Sequence, residues 1–176
     1  MAQGKSEEAQ LAGFLAKYDG EIAELAEAIR EEMRRLYPTA LELVYDNYNA
    51  LVIGFGPTER ATEAIFSIAL YPKWVSLFFL QAAGLPDPDK ILRGSGSVAK
   101  HVVLASPDVL HYPAVRALMG EAAARAKVGF DPHGLHRLII KSVSAKQRLR
   151  RVAEKDAVTG TGKKGAAKKA SGARAL

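Results

Sequence analysis

The chain has 176 residues, 48% of them hydrophobic, and no cysteine, which excludes disulfides, thiolate metal sites and cysteine nucleophiles. Its formal net charge of +6 is unevenly spread: residues 1–140 hold 14 Lys/Arg against 17 Asp/Glu, and residues 141–176 hold 11 against 2. A mildly acidic body therefore precedes a strongly basic end. The opening "MAQGKSEEAQLAG" has no apolar h-region, and the longest apolar run, "WVSLFFLQAAGL", is too short to span a bilayer. The expectation is a cytoplasmic protein without membrane contact.

In chain order, "SEEAQLAGFLAKY" predicts a first helix over residues 6–18, with Leu11, Phe14, Leu15 and Tyr18 on one face and Ser6 as its cap. A second helix over residues 20–36 follows from the spacing of Ile22, Leu25, Ile29, Met33 and Leu36, capped by Asp19 and ended by Pro38. From residue 41 the period shortens to that of strands. "LELVYD", "NALVIGF", "EAIFSIALY" and "WVSLFFL" read as four strands, with a turn at Asp46–Asn49 and breakers at Gly56, Pro57 and Pro72. "KHVVLAS" predicts a fifth strand, Ser106 with Pro107 restarts helix up to a stop at Gly129, and "GLHRLIIKS" predicts a closing edge strand. This order points to an α+β fold, an antiparallel sheet of about five to six strands packed by the N-terminal helices and one later helix. The domain is drawn over residues 1–145. Residues 146–176 are assigned to a basic tail too poor in large apolar side chains to order itself.

Five groupings could carry chemistry. "ILRGSGSVAKHVVL" has the separation of Gly94 and Lys100 found in a phosphate-binding P-loop, but Ala99 and His101 stand where glycine and Ser/Thr are required, and a strand follows instead of a helix. A milder site remains: Arg93, Ser95, Ser97, Lys100 and His101 as an anion pocket, with Tyr48 as a possible wall. The plainer alternative is a flexible polar connection, which Gly/Ser clusters commonly are. Asp131, His133 and His136 in "DPHGLHR" resemble a metal-ligand cluster, yet their turn context favours solvated histidines over convergence. Asp87 and Asp89 in "LPDPDK" read as turn formers. Of the aromatics Tyr45, Tyr48, Tyr71 and Trp74, Trp74 is expected in the core. "KSVSAKQRLRR" and "KKGAAKK" could hold a nucleic acid weakly and without sequence preference. No pattern calls for a cofactor, and no nucleophile, base and oxyanion site assemble into a catalytic set.

The stretch "YDNYNALVIGFGPTERATEAIFSIALYPKWVSLFFLQAAGLPDPDKILRGSGSVAKHVVL" resembles the YdhG-like domain family, a bacterial domain of unknown function. Its most recognisable pieces are "YPKWVSLFF", "LPDP", "GSG" and "HV", and the resemblance covers residues 10–142. It implies a helix-led α+β fold similar in outline to frataxin. Because one branch of the family is associated with iron delivery, it also implies an acidic helical surface. Glu21, Glu24, Glu27, Glu31 and Glu32 would supply that surface here, interrupted by Arg30, Arg34 and Arg35. The leading expectation is a non-catalytic domain binding a small anionic ligand; the alternatives are iron handling by the acidic helix and nucleic-acid contact by the tail.

Overall fold

The computed structural model describes residues 2–152, with side chains from Ser6 onward. Helix α1 (Ala2–Leu15) and helix α2 (Gly20–Leu36) are followed by strands β1 (Leu41–Asp46), β2 (Leu51–Gly56), β3 (Phe66–Leu70), β4 (Val75–Phe79) and β5 (Lys100–Leu104). A short 3₁₀ turn (Pro107–His111), helix α3 (Pro113–Arg125) and strand β6 (Leu138–Val143) complete the order. The strands form one six-stranded sheet in the order β5-β4-β3-β2-β1-β6. All pairs are antiparallel except β1 with β6, which the long route through α3 makes parallel.

The alternation of each strand decides what faces the helices. Val44, Leu51, Ile53, Phe55, Phe66, Ile68, Leu70, Val75, Leu77, Phe79, Val102 and Leu104 join one buried core with Leu11, Leu15, Tyr18, Ile29 and Met33 of the N-terminal helices and Val115, Leu118 and Met119 of α3. Burying side chains of this size stabilises the fold by roughly 1.5–3 kcal/mol each before the cost of ordering them. Tyr18 also ties the helices to the sheet through its hydroxyl. That group donates to the Leu70 carbonyl at 3.0 Å and accepts from the Leu51 amide at 2.9 Å. Gly56 lets the chain pass tightly, since a Cβ there would meet the Ala64 Cα at 3.0 Å.

Several expectations shift. Helix α1 already starts at Ala2, so Ser6 lies within it and does not cap it. Asp19 is the N-cap of α2 through its carbonyl, which accepts the amides of Ile22 and Ala23, while its carboxylate makes no cap bond. Ser106 and Pro107 open the 3₁₀ turn, and α3 begins only at Pro113; it ends at Arg125, short of Gly129. Trp74 is not in the core. With Val75 facing inward, its neighbour points out, and Trp74 stands 44% exposed, stacked on Tyr71 at 4.9 Å. The closing strand does lie at the sheet edge.

The boundary at residue 145 also moves. Residues 144–152 strap back over the start of the domain: the amides of Ser144 and Arg148 donate to the carbonyls of Asp46 and Tyr48, and Arg150 is 4% exposed. Of the region read as tail, residues 146–152 thus belong to the folded body, and 153–176 lie outside the described residues.

Candidate functional site

The glycine-serine segment is a hairpin hung on the outer edge of β5. Arg93 and His101 exchange both backbone hydrogen bonds, at 2.8 and 2.9 Å, and close the loop between them. Gly94 takes φ +113°, a backbone conformation open to glycine and strained for other residues. The Val98 carbonyl accepts the Ala82 amide at 2.7 Å, which pins the loop to the chain that follows β4. From Arg93 to Ala99 every residue is exposed, and among the described residues no amide from Gly94 to Ala99 donates to a protein acceptor. Consecutive free N–H groups of this kind can converge on an oxyanion.

The side chains at the root of the hairpin differ in what they can offer. The Lys100 ammonium sits 2.6 Å from the Gly94 carbonyl and so faces the loop, and Arg93 is exposed opposite His101. No carboxylate among the described residues forms an ion pair with either. His101 stacks on Phe78 with ring centroids 4.9 Å apart. Burial, and then the neighbouring Arg93 charge, push its pKa down, so His101 is neutral near neutral pH and serves as a hydrogen-bonding wall. Ser95 and Ser97 add hydroxyls to the exposed arc.

Tyr48 is not part of this group. It lies in the β1–β2 turn, beyond the Asp46–Leu51 end of the sheet, whereas Lys100 pairs with Phe79 at the opposite end and three strands across from β2. The register of the antiparallel strands separates them, so the expectation of Tyr48 as a pocket wall is corrected. Asp87 behaves as a turn former, accepting the amides of Ile91 and Leu92 at 3.0 Å each.

Two charged centres that sequence reasoning passed over lie on the inner face of β1. Glu42 is fully buried, and Arg30, Arg34 and His136 all reach its carboxylate, His136 through Nε2 at 2.7 Å from Oε1. Glu8 completes the network, accepting from Arg30 and Arg34 at 2.8 Å each. Burial alone would raise the Glu42 pKa, but the His136 hydrogen bond and the two arginines overcome it and hold the group down to about 2. Asp46, four residues on, is bound by Lys17 at 2.6 Å and by Arg150 at 3.0 Å. Glu42, Val44 and Asp46 share one side of a strand by the two-residue alternation, and that parity was the available signal. Both carboxylates are engaged by cations from other elements, which makes them structural anchors.

The histidine cluster separates in the same way: His136 turns to Glu42, while Asp131 accepts the His133 amide at 2.9 Å within its own turn. On α2, Glu27 pairs with Arg30, Glu31 with Arg35, and Glu32 with both Arg35 and His111. Among the described residues no three His, Asp or Glu side chains converge as metal ligands. No helix among them is long and apolar enough to cross a membrane. Against known proteins, no family model matches the chain, and neither the curated proteins nor the solved structures return a match.

Proposed function

We propose that the chain is a non-catalytic, YdhG-like binding domain of the cytoplasm whose 93–101 hairpin takes a small anionic ligand. The order of helices and strands supports the YdhG-like reading, which rests on the sequence pieces "YPKWVSLFF", "LPDP" and "GSG". One observation carries the function: among the described residues, the amides from Gly94 to Ala99 have no protein partner, and no carboxylate neutralises the flanking Arg93 and Lys100. Ser95 and Ser97 extend the donors, and neutral His101 closes one side. A carboxylate or phosphate group fits this set, because amide dipoles and two cations stabilise a compact negative charge. An exposed, shallow site of this kind implies weak affinity and a partner that brings further contacts of its own.

Calorimetry with inorganic phosphate on the whole chain and on a double Arg93→Ala, Lys100→Ala variant tests this. Millimolar binding that vanishes in the variant is expected, and equal binding by both proteins would contradict the assignment. No observation favours iron delivery by α2, where Glu27, Glu31 and Glu32 pair with arginines of the same helix and no three ligands converge among the described residues.

A further inference from the structure

The end of the sheet opposite the hairpin combines exposed rings with cations that have no carboxylate partner among the described residues. Leu51 of β2 pairs with Leu70 of β3, so the β1–β2 turn and the β3–β4 turn lie side by side. With neighbouring strands about 4.8 Å apart, the two turns are centred roughly 10 Å from each other. The first turn presents Tyr48, 48% exposed, and the second presents Trp74 on Tyr71. Two exposed aromatics on adjacent turns make a surface with ring faces to offer.

Cations interleave these rings. The strap over residues 144–152 is held by Arg150, whose guanidinium reaches Asp46 and the Asn47 carbonyl. That anchor sets the exposed Arg148 over the Tyr48 ring, 5.5 Å from its centroid, with Lys146 exposed on the same strap. Lys73 stands exposed in the turn that carries Trp74. Among the described residues no carboxylate pairs with Lys73, Lys146 or Arg148; Asp46 is buried under Lys17 and Arg150, and Asp19 approaches Arg151 at 4.0 Å. Residues 153–176, joined directly to this strap, add six Lys/Arg and two Asp/Glu by sequence.

We propose that this end of the sheet is a platform for single-stranded nucleic acid. Bases of an unpaired strand stack on Trp74 and on the Tyr48–Arg148 pair, and Lys73 and Lys146 take the phosphates. Ring faces accept any base, so the surface is expected to be indifferent to sequence. A duplex, whose bases are already stacked, can use only the cations. The site shares no residue with the 93–101 hairpin, so either assignment can fail alone.

Trp74 is the chain's single tryptophan, which makes its fluorescence a direct report from the site. A short oligothymidylate titrated into the full-length protein at low salt is expected to quench it. Inorganic polyphosphate and a blunt duplex are expected to bind without quenching. Tyr48→Ala and Arg148→Ala should each weaken binding about tenfold, a single base stack being of that size, while Tyr48→Phe keeps the affinity. Lys146→Ala should instead lower the salt slope by about 0.7, one phosphate contact. All three side chains are exposed, so thermal unfolding of the variants should match that of the parent. Oligothymidylate binding that leaves Trp74 unquenched would assign the contact to the basic segment alone and overturn the proposal. So would equal quenching by polyphosphate, or affinities unchanged in both Tyr48→Ala and Arg148→Ala.

Discussion

The inner face of β1 and the hairpin at the edge of β5 use the same side chains to opposite ends. Around Glu42, two arginines and a histidine converge on one buried carboxylate, and a second carboxylate, Glu8, neutralises what remains. At the hairpin, an arginine, a lysine and a histidine meet with no carboxylate among the described residues to pair them, in a loop whose amides are also unspent. Burial has driven the first set into mutual satisfaction, because an unpaired charge inside the sheet would cost several kcal/mol. Exposure relaxes that demand for the second set, which water can serve until a ligand does. Pairing, more than residue type, therefore separates architecture from a candidate site.

That contrast can be broken most forcefully at Glu42. Glu42→Gln should cost about 3 kcal/mol in denaturant unfolding, since it leaves two arginines facing a neutral amide in a buried place. A loss under half of that would mean the cluster is not the anchor described. Acid acts on the same group. Its folded pKa of about 2 lies below the ordinary 4.5, so its contribution is complete above pH 4.5 and is lost as pH falls from there toward 2. Unfolding followed across that window should show the parent losing stability more steeply than Glu42→Gln, and parallel curves would contradict the linkage.

Arg150→Ala is a smaller perturbation, because Asp46 keeps Lys17. About 2 kcal/mol is expected, with residues 144–152 becoming protease-sensitive before the rest of the domain. Protection of that segment in the variant would show that the strap is held by something other than the Asp46 pair. Smallest of all, Arg93→Ala and Lys100→Ala should change stability by no more than about 0.5 kcal/mol, as surface substitutions away from any buried network do. A larger loss would move the hairpin cations into the architectural class and erase the distinction.

Much of the fold was legible because the apolar period switches cleanly from that of α2 to that of β1 at Pro38–Leu41, and the strand segments from β1 to β5 are runs of β-branched and aromatic residues bounded by turn formers. The misreadings have physical sources. Proline after serine opens either an α-helix or a 3₁₀ turn, and Pro113 bars a continuous helix from Pro107, so a short turn comes first and α3 starts at the second proline. The basic run after residue 144 reads as solvated until Asp46, one hundred residues earlier, is seen to be buried beneath it and in need of Arg150. Trp74 follows apolar statistics, yet the inward register of Val75 turns it out.

At the hairpin, the glycines and serines announced a loop, and its edge position follows from β5 being the last strand on that side. The neutral state of His101 was not legible, since Phe78 meets it only through the β4–β5 register. Nor could Tyr48 be placed without knowing which end of the sheet each turn occupies. The partners of Glu42 are twelve residues before it and ninety-four after it, a convergence that no local pattern encodes.

The most direct test of the contrast is an amide NMR titration of the full-length chain with inorganic phosphate, observed at the hairpin and around β1 together. Shifts confined to Gly94–Lys100, saturating at millimolar phosphate, with Glu42 and its neighbours unmoved, are the predicted result. No shift in that loop, or shifts of equal size at Arg30, Arg34 and His136, would contradict it.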